Sequence, residues 1–237
     1  MTHMHIPDGI LPFWLWMGGY AVLAAVLALC LFRLRGMDRR KKIPLLGALS
    51  AVMLVAMNLE VFPIAYHLNL SVAAGILLGP SLGFVAALIV NVILALIGHG
   101  GITVVGLNTL LLGAEAFFGH ALFHLLPASL SVFWRGAVAT VVSLLLVSLL
   151  LIAIVGASHA EVQAFLHEHA EHGEGGQGGD APASASLATF AVIVLSLGAI
   201  GWAIEAAVTG AVIRFISRVK PDLLAHVLHA SRAGRGA

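Results

Sequence analysis

The chain has 237 residues, 60% of them hydrophobic and 10% charged, with a formal net charge of +1 and a mean hydropathy of +1.04. That balance excludes a water-soluble globular domain, so the expected class is an all-α integral membrane protein, and no nucleic-acid partner is expected. The single cysteine, Cys30, excludes an internal disulfide and argues against thiolate metal chemistry.

About 20 apolar residues in a helix cross the hydrocarbon core, and seven apolar windows follow one another along the chain. The first runs from Ile10 to Phe32 and the second from Pro44 to Phe62. A shorter stretch, Leu70 to Gly79, is cut off by Pro80, which ends or kinks a helix. The remaining four are Leu82 to Ile97, Ile102 to Leu126, Val132 to Val155 and Leu187 to Ile216. Continuous apolar runs predict a bundle of about seven transmembrane helices and not a barrel. The first window is expected to stay as a helix, because its positive charges follow the apolar run where a signal peptide would have them precede it.

Lysine and arginine orient such a bundle, since cytoplasmic loops carry the positive excess. Six of the twelve, Arg33, Arg35, Arg39, Arg40, Lys41 and Lys42, lie between windows one and two. Arg135 follows window five, and Arg214, Arg218, Lys220, Arg232 and Arg235 lie at the end of window seven or beyond it. Seven crossings put all twelve on one side. The amino terminus is therefore expected outside and the carboxyl terminus in the cytoplasm, in the cell inner (plasma) membrane.

Eight of the twelve histidines then map to the outer side: His3, His5, His67, His99, His159, His167, His169 and His172. The other four, His120, His124, His226 and His229, map near or beyond the inner face. Imidazole is the commonest metal ligand, so an outer cluster suits capture of an arriving cation. The run Met4-His5-Ile6-Pro7-Asp8-Gly9 stands directly before the first window. A histidine beside a free amino terminus chelates strongly, because amine, deprotonated amide and imidazole donate from one plane suited to Ni(II), Cu(II) and, less tightly, Co(II). His67, on the same face, is placed to add a fourth nitrogen. No Gly-Lys-Ser/Thr phosphate loop is present, so any pumping must draw its energy from partners.

These blocks carry a resemblance. Met4-His5-Ile6-Pro7-Asp8-Gly9, the segment from His67 to Pro80, the turn from Gly98 to Thr103 with Gly106 and Asn108 beyond it, and Glu205 to Leu223 resemble, in order, the cobalt/nickel CbiM/NikM family. These are the substrate-binding S components of energy-coupling-factor transporters. The resemblance implies Ni(II) or Co(II) as the transported substrate with no organic cofactor. It also implies partners: a transmembrane coupling protein, a pair of ATPases and a small accessory membrane subunit. Carried over, the metal ligands are the Met4 amine, the backbone and imidazole of His5, and His67.

Met1-Thr2-His3 depart from the pattern by preceding Met4, and three arrangements stand side by side. A start at Met4 restores the family site. Removal of Met1 rebuilds the chelate on Thr2 and His3, with His5 spare. A retained Met1 lets His3 complete a plane of amine, two amides and imidazole, which leaves no equatorial vacancy for His67. His99 is a second departure and a candidate accessory capture residue. His159, His167, His169 and His172, in the low-complexity stretch Ser158 to Ser186, are others. One metal-binding domain is expected over 1–220, with an outer histidine-rich loop at 158–186 and a cytoplasmic tail at 221–237.

Several polar residues inside windows need accounts of their own. Asn91, Glu115 and Glu205 are polar groups within or near spans and so functional hypotheses by default; for Glu205 helix-to-helix hydrogen bonding is an equal account, and neither glutamate is taken as a metal ligand. His120 and His124 share one helix face, which raises a haem-binding electron-transfer protein as an alternative; a self-contained divalent metal permease is another. Gly18, Ala21, Ala25 and Ala28 form a small-residue stripe along the first window, suited either to packing inside the bundle or to docking a partner helix.

Overall fold

The structure is a computed structural model that describes residues 11–36, 39–61, 66–158 and 187–224. Among these residues the fold is carried by α1 (Phe13–Arg33), α2 (Arg39–Asn58), α3 (Ser71–Leu78), α4 (Pro80–Leu96), α5 (Val105–Leu125), α6 (Val132–Ser158) and α7 (Leu187–Val219). Two short strands, β1 (Glu60–Val61) and β2 (Tyr66–His67), pair antiparallel between α2 and α3, with Glu60 opposite His67. The expected all-helical membrane bundle is what forms, and each apolar window contains a helix.

Helix lengths distinguish the windows. α1, α5, α6 and α7 are long and apolar enough to cross a membrane alone. The apolar parts of α2 (Lys42–Asn58) and α4 (Pro80–Leu96) are shorter. α3 has only 8 residues, about 12 Å of rise against a hydrocarbon core of about 30 Å. The third window is thus a buried half-length helix and not a crossing by itself, and all of its residues lie inside the protein. Gly79, at φ 84, breaks the chain there, and Pro80 opens α4 as its first residue. The basic stretch also differs from expectation, because α2 begins at Arg39 and carries Pro44 inside it. Pro44, past the first turn of α2, removes the helical hydrogen bond that a backbone N–H there would make to Arg40 O.

Close packing around α3 depends on the absence of side chains. A Cβ added at Gly75 would lie 2.6 Å from the carbonyl carbon of Ala116, and one added at Gly83 would lie 3.0 Å from the Cα of Gly75. Backbone contact of this kind holds helices together in lipid, where apolar side chains gain little by leaving the tails. The core around α3 includes Met53, Val72, Ile76, Phe123, Ile213 and, just past α7, Leu224.

Four contacts order the two ends of the bundle. The Tyr20 hydroxyl donates to Ile102 O at 2.5 Å, tying the early turns of α1 to the α4–α5 link. Cys30, far along α1, clusters instead with Phe84 near the start of α4. Arg135 donates through its guanidinium to Phe123 O at 2.5 Å at the far end of α5, and Gly210 of α7 meets Phe133 beside it. Arg33, Arg135, Arg214 and Arg218 therefore gather at one end, while the α4–α5 link and the start of α1 form the other.

Candidate metal centre

His67 closes β2 and is partly buried, with its Nδ1 enclosed by protein. The backbone then reaches Leu70, which has φ 58 and precedes the first residue of α3. A left-handed conformation is unusual for a bulky residue and costs about 1–2 kcal/mol, so its surroundings must impose it. They do so with a buried polar network. Leu70 N donates to Glu205 Oε1 at 3.2 Å, and Asn69 Nδ2 donates to Glu115 Oε2. Asn69 Oδ1 accepts from Ser71 N at 3.1 Å and from the Ser71 hydroxyl.

Asn69, Ser71 and Glu205 are completely buried and Glu115 nearly so. The first N–H groups of a helix have no partner within it, and its amino-terminal end favours negative charge. Carboxylates from α5 and α7 thus brace the start of α3, three residues beyond His67. One turn along, His120 Nδ1 donates to Gly75 O at 3.1 Å. Glu115 and Glu205 thus reach from α5 and α7 to Asn69 and Leu70, the two residues just before α3. Asn91, by contrast, bonds within its own helix, Nδ2 to Ala87 O at 3.1 Å. Asn69 and Ser71 have no role in the sequence reading. An Asn two residues before a Ser at the head of an apolar run is an Asx-turn signal that could have marked them.

His99 lies in the α4–α5 link between Gly98 (φ 85) and Gly100 (φ 89), conformations open to glycine and strained for other residues. Its backbone N donates to Leu94 O at 2.8 Å, fixing the turn. The His67 and His99 rings approach to 6.5 Å between centroids, at 75° to one another. Two links far apart in sequence therefore present imidazoles to one region, at the end where α1 begins. Among the described residues no group of three or more His, Cys, Asp and Glu comes together as a metal cage. Thr2, His3, Met4 and His5 lie outside the described residues, as do His159, His167, His169 and His172.

The His120 and His124 rings lie 4.4 Å apart between centroids, tilted by 57°, on the single helix α5. Axial haem ligands stand on opposite faces of the ring, a separation that neighbours one turn apart on one helix do not supply. The small-residue stripe has a clearer outcome. Gly18, Ala21, Ala25 and Ala28 are all exposed, whereas Gly19, Leu23 and Cys30 face the bundle.

Comparison with known families supplies the deciding observation: residues 5–223 match CbiM, the cobalt uptake substrate-specific transmembrane region. The chain belongs to the CbiM family. It is 31% identical to a metal transport protein of Haloquadratum walsbyi over 93% of each chain. It is 32% identical to the cobalt transport protein CbiM of Clostridium tetani over 46% of this chain and 48% of that one. A fused nickel transport protein, NikMN of Archaeoglobus fulgidus, is 38% identical over 44% of this chain and 36% of its own. Two crystal structures of transition metal transporters share the fold. One, a truncated form, has a TM-score of 0.73 at 19% identity over 91% of this chain and 99% of its own. The other has a TM-score of 0.74 at 20% identity over 98% of this chain and 100% of its own. As a CbiM-family member with four helices able to cross a membrane among its described residues, the chain is a multi-pass membrane protein of transition-metal transport.

Proposed function

We propose that the chain is the substrate-specific (S) component of an energy-coupling-factor transporter that imports cobalt or nickel. The ion is held by the Met4 amine, the amide and imidazole of His5, and His67, with Thr2 and His3 as the alternative terminal chelate. The observation that carries this reading is the position of His67, braced at the end of the bundle where α1 begins and opposite the arginines. A chelating segment that leads into α1 starts from that same end. By the positive-inside rule that end faces outward, so the ion is captured from outside the cell.

Four nitrogens in a plane suit d8 Ni(II), accommodate Co(II) and disfavour Zn(II), which prefers a tetrahedron. Energy comes from a transmembrane coupling protein and its ATPases, since the chain has no phosphate-binding loop of its own. The exposed stripe of Gly18, Ala21, Ala25 and Ala28 suits close approach of a partner helix in lipid. Titration of purified protein with Ni(II) and Co(II) tests the ligand set. His5→Ala and His67→Ala should each abolish tight binding, while His169→Ala leaves it nearly unchanged. Equal, small losses in all three variants would remove the assignment.

A further inference from the structure

We propose that Asn69 is a positioning residue of the metal centre: its side-chain amide ties the backbone two residues after His67 to Glu115 of α5, and so sets where the imidazole stands. The proposal rests on the reading of His67 as a metal ligand.

The His67 backbone is anchored from both sides. Before it, the antiparallel pairing sets His67 opposite Glu60, and β1 follows the end of α2 directly. Beyond it, Asn69 Nδ2 donates to Glu115 Oε2 and Leu70 N donates to Glu205 Oε1 at 3.2 Å. Two residues of chain span at most about 7 Å, so a shift of Asn69 passes to His67 with little slack. Asn69 is completely buried, and water does not substitute for its bonds.

The position calls for an amide. A primary amide carries N–H donors at one end and a carbonyl acceptor at the other. At Asn69 the donor end meets the Glu115 carboxylate, while the acceptor end takes the Ser71 N–H at 3.1 Å and the Ser71 hydroxyl. Exchanging the two ends would set Oδ1 against the carboxylate and the amide donors against the Ser71 N–H, so one orientation is fixed. An aspartate of the same shape keeps the acceptor for Ser71 but faces Glu115 with a second carboxylate. Reversing the pair removes that conflict, because a glutamine at 115 donates to an aspartate at 69.

The test titrates full-length protein in detergent with Ni(II), beside thermal unfolding, and compares affinities of the folded, monodisperse protein. Asn69→Asp and Asn69→Ala should each weaken nickel binding about tenfold or more, as loss of groups that orient a metal ligand does. Glu115→Gln still offers Asn69 an oxygen and should stay within about threefold of the parent. The double variant Asn69→Asp with Glu115→Gln should return to within about threefold, a rescue of affinity that restored stability alone does not supply. Where Asn69→Asp alone does not fold, Asn69→Ala is the single variant against which the rescue is read. A double variant that binds no better than the single one would overturn the proposal. So would an Asn69→Ala protein that unfolds at a lower temperature yet binds nickel as the parent does, since the amide would then serve the fold alone. Failure of the underlying reading looks different: His67→Ala would then keep the parental affinity.

Discussion

Glu205→Ala tests the polar brace beneath His67 most directly. Glu205 is fully buried and accepts the N–H of Leu70 at 3.2 Å. Truncation leaves that donor without this acceptor, a cost of about 1–3 kcal/mol. Losing the buried side chain adds a cavity cost of about 2 kcal/mol, at the low end for large-to-small changes. A total of about 3–5 kcal/mol corresponds to a fall of roughly 6–20 °C in the unfolding midpoint of a chain this size. The left-handed backbone at Leu70 would relax once released, moving His67 and weakening nickel binding in parallel. Glu205→Gln keeps an oxygen of the same shape in place, so it should lose only about 1 kcal/mol and hold affinity within a few-fold. Thermal unfolding in detergent with paired nickel titrations reads both effects. If Glu205→Ala unfolds at the parental temperature, the bond to Leu70 carries no weight. If Gln is as damaging as Ala, the brace works through charge and the geometric argument is wrong.

Gly75→Ala should destabilise the α3–α5 contact by about 1–3 kcal/mol or more, because the new methyl meets the Ala116 backbone, which cannot move aside as a side chain could. A midpoint within a degree of the parent would show that the helices separate freely. Arg135→Gln should cost about 1.5–3 kcal/mol by loosening the guanidinium bond to Phe123 O, and further stability is lost with its stacking at 4.3 Å from the Phe123 ring. Because Arg135 lies at the end away from His67, nickel affinity of the folded fraction should stay unchanged. A large affinity loss there would break the separation of the two ends.

The membrane class and the helical bundle were legible from the chain alone, because hydrocarbon forces every spanning backbone group to bond within its own helix, and an apolar run is visible without knowing its neighbours. Arg33, Arg135, Arg214 and Arg218 could be placed at one end for a related reason, since alternate crossings carry successive links to alternate faces. The blocks around the amino-terminal histidine motif and His67 resemble the CbiM family, and residues 5–223 match that family. Other features emerged only in three dimensions. Whether the third window crosses or stops was settled by its packing against α4 and α5, with Gly75 and Gly83 in backbone contact. Glu115 and Glu205 read as isolated polar residues in apolar helices, yet the fold turns both onto the start of α3. The meeting of His67 with His99, and the outward turn of the Gly18–Ala28 stripe, likewise depend on which helices adjoin. Hydropathy is a property of one segment against its solvent, whereas the partner of a buried polar group is chosen by whichever surface the whole bundle brings opposite it.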